Sequence, residues 1–400
     1  MKIMQINCVY KVGSTGKIVN DLHRELKKNG YDSAVCYGRG DIYKEPGVYK
    51  TSYESIAKLI NLKSKITGRE YNGSFLATKK LIHIIKLEKP DIVHLHCING
   101  FFVNIYSLLN FLKSNNIKTV LTLHAEFMYT GGCGHALDCV QWINGCKKCS
   151  QLKDQIHSFF LDRTKKNWFD MKKSFDDFDN LYIVSVSSWL YNRAIRSSIM
   201  NGKKHTIVLN GIDTENQYYY RPNKNLINKY KLDNKKVILH VTSSFLSDIK
   251  GGEYVIQLAK QLKDKVFIII GNTDKINDLP DNIIDIGRIE NQQTLAEFYS
   301  VADITLLTSK RETFSMICAE SLSCGTRVVG FKSGAPEKIS LAEYSDFCEY
   351  GDIKELKDLV EKNLEMKYDK KLISKVSKKI YSTKRMFKDY EKIYKDLYEL

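Results

Sequence analysis

Short apolar runs alternate with stretches of helical spacing along most of the chain. Residues 3–8 form the first run. The turn Val12-Gly13-Ser14-Thr15-Gly16 then opens a segment whose Ile18, Leu22 and Leu26 share one face before Asn29-Gly30 ends it. Further apolar runs follow at 33–37, 91–96, 119–123 and 181–187, with helical spacing at 75–88 and 104–115 between them. Runs nearly continuous in Val, Ile and Leu suit the strands of a parallel sheet covered on both faces.

The alternation restarts in the second half, with runs at 236–241, 266–271, 283–287, 303–307 and 327–331 and helical spacing at 252–262, 294–299 and 316–324. Between the halves lie Asn210-Gly211-Ile212-Asp213 and a stretch rich in tyrosine and asparagine that reads as a linker. The pattern predicts an α/β protein of two Rossmann-like halves with a boundary near residue 205, the second half running over 206–383. A length of 400 residues suits two cores better than one. At 384–400 a last helix is predicted, with Met386, Tyr390, Ile393 and Leu397 at helical spacing.

No apolar run approaches the roughly 18 residues that cross a bilayer. The opening Met1-Lys2-Ile3-Met4-Gln5-Ile6-Asn7 reads as a strand and not as a signal peptide. The expected location is cytoplasmic. Charge adds a preference in partners: 62 Lys and Arg against 46 Asp and Glu leave +16, which favours an anionic one. The stretch 56–89 is densely basic, with Lys58, Lys63, Lys65, Arg69, Lys79, Lys80, Lys86 and Lys89 between apolar positions. It could lie on an anionic membrane surface or be a solvated helix face.

Two segments could carry chemistry on phosphate. Gly13-Ser14-Thr15-Gly16-Lys17 sits where a doubly wound fold presents its first turn, at the carboxyl ends of the strands, with helix N–H groups behind it. It lacks the full spacing of either nucleotide-binding glycine motif, so a plain tight turn stays open. In the second half Ser309-Lys310-Arg311-Glu312-Thr313-Phe314-Ser315 follows an apolar run, and Glu320 lies eight positions beyond Glu312 on the next predicted helix. One carboxylate then stands at the strand end and the other two turns up the helix. The N–H groups of Thr313, Phe314 and Ser315 lie at the helix start, where phosphate oxygens bind.

This second segment, with Cys324-Gly325-Thr326-Arg327-Val328-Val329 after it, resembles the E-x7-E donor signature of retaining GT-B glycosyltransferases of the GT4 family. Gly334-Ala335-Pro336-Glu337, Lys250-Gly251-Gly252 and Asn210-Gly211-Ile212-Asp213 match further elements of that family in order. Gly13-Ser14-Thr15-Gly16, the run from Lys89 to His96, and Thr122-Leu123-His124 resemble its polysaccharide-assembly, colanic-acid-type branch.

The resemblance implies a GT-B fold: two Rossmann-like domains facing each other across a cleft, with the C-terminal helix crossing back to the first. It further implies that Glu320 holds the ribose hydroxyls of a nucleotide, Glu312 the hydroxyls of the transferred sugar, and Lys250 the diphosphate. The amides of Thr313, Phe314, Ser315 and Gly16 assist, and His124 sits at the reacting sugar. Gly13, Asn210, Ser244, and the pair Arg288 and Ile289 that follows the run 283–287 complete the implied donor set. Transfer with retention needs no enzymic nucleophile and no cofactor. The implied donor is a nucleoside diphosphate sugar, UDP-linked, and the acceptor lipid-linked or polysaccharide, at the inner face of the plasma membrane. This chain departs from the family in two places. Thr242-Ser243-Ser244-Phe245-Leu246 holds no arginine ahead of Lys250, and His124-Ala125-Glu126 stands where His-Asp is common.

Ten cysteines without a secretory signal point to reduced thiols. Four of them, Cys133, Cys139, Cys146 and Cys149, fall within 17 residues, the last two spaced C-x2-C. A structural zinc clip, with His135 as a spare ligand, and free or redox-active thiols are both open. Two other functions remain in view. A nucleotide-sugar epimerase would use the same fold with acid and base carboxylates in the first half. A basic zinc-containing nucleic-acid-binding protein would explain charge and cysteines but leave Glu312, Glu320 and Lys250 without a role, so no nucleic-acid partner is expected.

Overall fold

The computed structural model describes residues 1–273, 276 and 278–399. The chain divides into two compact units, Met1–Leu209 with Met386–Leu400, and Asn210–Arg385.

The first unit is built on seven parallel strands: β1 (Lys2–Asn7), β2 (Asp32–Tyr37), β3 (Val48–Lys50), β4 (Ile92–Leu95), β5 (Thr119–Leu123), β6 (Leu181–Ser185) and β7 (His205–Ile207). Their order, β3-β2-β1-β4-β5-β6-β7, reverses direction of growth at the β1/β4 pair. That reversal opens a crevice at the carboxyl ends of the strands, where doubly wound folds bind ligands. The strands are apolar on both faces because helices cover both. Ile18, Val19, Leu22 and Leu26 of the helix Gly13–Lys28 are buried, as are Leu108, Leu109 and Leu112 of the helix Ile105–Ser114.

The basic stretch 56–89 is not one amphipathic helix. It forms two, Glu54–Thr67 and Phe75–Glu88, separated where Gly68 takes a left-handed conformation (φ 66°). A side chain could not replace that glycine, since its Cβ would come within 2.1 Å of the Leu161 carbonyl. Only Ala57 and Ser64 of the first of these helices are buried. Leu59, Leu62 and Ile66 face outward beside Lys58, Lys63 and Lys65.

The second unit repeats the plan with six parallel strands: β8 (Val237–Val241), β9 (Val266–Ile270), β10 (Ile283–Gly287), β11 (Ile304–Leu307), β12 (Arg327–Phe331) and β13 (Ser345–Cys348). Their order is β10-β9-β8-β11-β12-β13, with the reversal at β8/β11. One core cluster runs through Ile238, Phe267, Ile269, Leu306 and Val329 of the sheet to Val255, Leu258, Leu356 and Val360 of the helices Gly252–Gln261 and Ile353–Glu365.

The helix Thr383–Glu399 starts in the second unit and ends packed on the first. Its Tyr394 hydroxyl lies 2.7 Å from His94 Nδ1, and its Tyr390 hydroxyl 2.8 Å from Thr122 Oγ1. Among the described residues no helix is long and apolar enough to cross a membrane.

Candidate functional site

In the first unit the crevice is organised by Asn7, the last residue of β1, a polar group ending an apolar strand. Its side chain donates to Val9 O (2.7 Å) and Thr15 Oγ1 (3.3 Å) and accepts from the Cys97 N–H (3.0 Å). It thereby pins the glycine turn and the loop after β4 together. Gly13 is left-handed (φ 64°), while a Cβ on Gly16 would press at 3.1 Å on Val9 and 3.3 Å on the Lys11 amide, so the turn is tight there. Gly13 and Gly16 thus stand in the first turn of the helix that follows β1, and His124 directly after β5.

The histidines form a buried ladder. His94 lies between Tyr394 and Thr122 Oγ1, the latter 2.7 Å from Nε2. It packs on His96 with ring centroids 3.9 Å apart, and His96 Nδ1 is 3.2 Å from His124 Nε2. Burial pushes the pKa of His23, His124, His205 and His240 down to about 4, and those of His94 and His96 well below their usual range. The folded chain therefore refuses protons that the unfolded chain accepts below about pH 6.5, and stability present at neutral pH is lost as pH falls from there toward 4. Glu70, whose carboxyl burial pushes up to about 7, acts in the opposite sense, its contribution being lost as pH rises through that value. One carboxyl stands against six imidazoles. The urea midpoint is expected to be lower at about pH 5 than at about pH 7. A midpoint that stays level or rises would show these rings to be ionised in the folded chain.

Glu126, two residues past His124, is fully buried. It accepts from the Tyr129 hydroxyl (3.0 Å) and the Ala136 N–H (2.7 Å), and pairs with Arg193 Nε (2.6 Å). Its carboxylate thus anchors the segment that follows β5 to the helix Ser188–Ala194. The sequence marked it only as a departure from a common His-Asp.

In the second unit the loops after β8 and β11 meet. Lys250 Nζ donates to Glu312 Oε1 at 2.7 Å, across 62 positions of sequence. Their backbones are tied as well: Thr308 Oγ1 donates to Lys250 O (2.9 Å), and the Lys310 N–H to Ile249 O (2.8 Å). The double glycine after Lys250 permits this approach. A Cβ on Gly251, itself left-handed (φ 66°), would fall 2.3 Å from Thr308 O, and one on Gly252 2.2 Å from Phe245 O. Glu312 is also fixed from the other side, its N–H donating to Ser333 O (2.9 Å) and its carbonyl accepting from the Ala335 N–H (3.1 Å). The Glu337 carboxylate in turn accepts from the N–H groups of Ser333 (3.1 Å) and Gly334 (3.0 Å).

Between Glu312 and the helix Met316–Ser323 the chain makes a strained turn. Ser315 is left-handed (φ 76°) without being glycine and caps the helix, its hydroxyl accepting from the Cys318 N–H (3.3 Å). Such a conformation costs of order 1–3 kcal/mol and concentrates at functional sites. Thr313 and Phe314 are buried just ahead of it. Glu320, buried and only a little over one turn into the helix because the helix starts at Met316, accepts from the Tyr299 hydroxyl at 3.0 Å. The helical spacing at 294–299 covers Tyr299 but gives no sign that it bonds Glu320.

The remaining donor candidates are more dispersed. Ser244 is exposed on the loop after β8, its carbonyl accepting from the Ser247 N–H (3.2 Å). Asn210 is buried at the start of the unit, its carbonyl accepting from Arg385 (3.1 Å). Arg288 has a side chain 69% exposed and lies 3.9 Å from Glu290. Among the described residues neither Arg288 nor Ile289 has a hydrogen bond or ion pair to Lys250 or Glu312.

Comparison with known proteins is consistent with this arrangement. Residues 15–216, half of the chain, match the family described as Glycosyltransferase Family 4, and residues 223–382 match Glycosyl transferases group 1. WcaC of Escherichia coli (strain K12), described as a glycosyl transferase of colanic acid biosynthesis, is 22% identical over 352 residues covering 85% of each chain. The N-acetyl-alpha-D-glucosaminyl L-malate synthase of Bacillus anthracis is 21% identical over 87% of this chain and 83% of its own. Among solved structures, sucrose-phosphate synthase from Thermosynechococcus elongatus superposes with a TM-score of 0.70 at 14% identity, covering 100% of this chain and 99% of that one. Anabaena HepE in complex with UDP-glucose gives 0.68 at 14% identity, covering 99% and 100%. These structural likenesses place the fold as GT-B. The chain belongs to Glycosyltransferase Family 4 and is a glycosyltransferase.

Proposed function

We propose that the enzyme moves a hexose or N-acetylhexosamine from a UDP-sugar to a hydroxyl of a lipid-linked or polysaccharide acceptor, with retention of anomeric configuration. The observation that carries the reading is the Lys250–Glu312 pair, held at the β8/β11 reversal beside the helix that carries Glu320. A cation and two carboxylates at that crevice suit a ligand that is anionic in one part and polyhydroxylated in two. UDP-glucose bound to HepE and the colanic acid assignment of WcaC support the donor and acceptor classes.

In this reading Lys250 binds the diphosphate and exchanges Glu312 for it when the donor arrives, releasing Glu312 to the sugar hydroxyls. Glu320 takes the ribose, and the amides of Thr313 to Ser315 receive phosphate oxygens. Ser244, Asn210, Arg288 and Ile289 belong to the same donor set. In the first unit the Gly13 and Gly16 turn supplies further amides, and the neutral His124 accepts or donates one hydrogen bond at the sugar. The acceptor oxygen bonds to the anomeric carbon on the face from which the diphosphate leaves, and a departing phosphate oxygen takes the acceptor's proton. Stabilising the charge that builds on that diphosphate is the protein's main contribution, and no cofactor is required for it.

A place at an anionic membrane surface is part of the proposal, on the strength of exposed Leu59, Leu62 and Ile66 among lysines and of Phe159 and Phe160, whose loop is tied to Lys65 O by the Phe159 N–H (2.8 Å). Two measurements test the whole. Saturating UDP is expected to raise the melting temperature of the parent and to do so far less for Glu320→Ala, because a ligand stabilises only the state it binds. Anionic vesicles are expected to sediment the protein and neutral ones not. An identical UDP response in Glu320→Ala would remove the donor reading, and equal sedimentation on both vesicles the membrane reading.

A further inference from the structure

Between β5 and the helix Thr164–Phe175 the chain runs for some forty positions, 124–163, with a single 3-10 turn, Gln141–Ile143, as its regular structure. Connections longer than about 12–15 residues without secondary structure of their own are uncommon in compact domains unless something fastens them. Glu126 fastens the beginning of this one. Its middle holds Cys133, Cys139, Cys146 and Cys149, and all four line one small cavity of about 20 Å³. That is room for a single small particle.

The geometry points to a zinc site: we propose that Cys133, Cys139, Cys146 and Cys149 bind one zinc ion as a four-thiolate set that holds the 130–164 segment in shape. The Cys146 sulfur already accepts a backbone N–H, that of Gly131 (3.2 Å). Donors aimed at sulfur are better matched to a thiolate than to a thiol, because a bond to an anionic acceptor is the stronger. Cys146 and Cys149 carry the C-x2-C spacing, and the Cys149 N–H is itself held by Asp162 (2.7 Å). His135 does not line the cavity, so the ligand set is four sulfurs.

All ten cysteines are free, and among the described residues no group of three or more His, Cys, Asp or Glu side chains is already placed to hold a metal ion. The ion therefore has to draw the sulfurs inward from the cavity wall, and each thiol that binds gives up its proton to solvent. Four protein ligands leave no open position, so the metal is structural and takes no part in sugar transfer. Its effect reaches further than the cluster. Cys146 also lines an adjoining open cavity of about 1020 Å³, with Ile143, Trp168 and Phe169 apolar and Lys147 and Arg163 basic. Zinc would set one wall of that larger space.

The inference is independent of the donor reading and is tested apart from it. Elemental analysis of the whole chain, purified without a histidine tag, is expected to give one zinc per molecule. Cobalt in its place is expected to show the sulfur-to-metal charge-transfer band and the strong visible bands of a tetrahedral thiolate site. Cys146→Ser should weaken zinc binding by at least roughly tenfold and lower the melting temperature. If that variant does not fold, the cobalt spectrum of the parent decides. Metal-free protein in which cobalt yields no thiolate band, or recovery of a Cys133–Cys149 disulfide in protein without zinc, would overturn the proposal.

Discussion

Lys250→Ala is expected to slow sugar transfer by about 100- to 1000-fold, the usual loss when one preorganised group that stabilises transition-state charge is removed. The two side chains of the Lys250–Glu312 pair are 32% and 19% exposed. An ion pair reached by solvent contributes little to stability, about 0–1 kcal/mol. The variant should therefore melt close to the parent, and the loss should fall on kcat more than on KM, since charge on the leaving diphosphate grows as the bond to the sugar breaks. Steady-state rates with a UDP-sugar and a competent acceptor decide the matter. A rate within a few-fold of the parent would take Lys250 out of the machinery. The missing arginine between Thr242 and Leu246 sharpens the expectation, because no second cation in that loop stands ready to substitute.

Glu126→Ala should damage folding instead. The Glu126 side chain is fully buried and that of its partner Arg193 15% exposed. Removing one member of a buried pair strands the other charge, at about 3–5 kcal/mol. For a domain of this size that is roughly 2–4 °C for each kcal/mol. The Ala136 N–H and the Tyr129 hydroxyl lose their acceptor in the same step. Calorimetric melting of parent and variant checks it, and a shift of a degree or two would show that water enters to solvate Arg193. Replacing both Glu126 and Arg193 by apolar residues should restore part of the loss, which separates the stranded charge from lost packing.

What could be read from the sequence follows from how many faces of an element are buried. The runs 119–123 and 327–331 are strands over those same residues, because interior strands of a parallel sheet are buried on both faces and leave a mostly apolar signature. The strands Val48–Lys50, His205–Ile207 and Ser345–Cys348 went unread. Each is an edge strand of three or four residues, paired on one side only, and carries polar residues. The lysine-rich helices Ile353–Glu365 and Lys370–Tyr381 were also missed, although Leu356, Val360 and Leu364 recur at helical spacing in the first. In the candidate site, the motif order was legible but not the contacts. Nothing local links Lys250 to Glu312 or Tyr299 to Glu320, since sheet order alone brings those loops together. Glu126 could not be told from a surface carboxylate until Arg193 was placed beside it.

The helix that packs on the first unit is made only after the second unit. Tyr390 and Tyr394 leave the ribosome only after the whole of Asn210–Arg385, which at about 5–20 residues per second takes roughly 10–35 s. During that interval His94 and Thr122 wait, and the seam that Met386, Phe387, Ile393 and Leu397 will cover stays bare. A message broken anywhere inside the second half would therefore leave a first half that was fully translated yet unfinished, with an apolar strip open to chaperones and proteases. Quality control of the nascent enzyme is in this way written into the position of one helix.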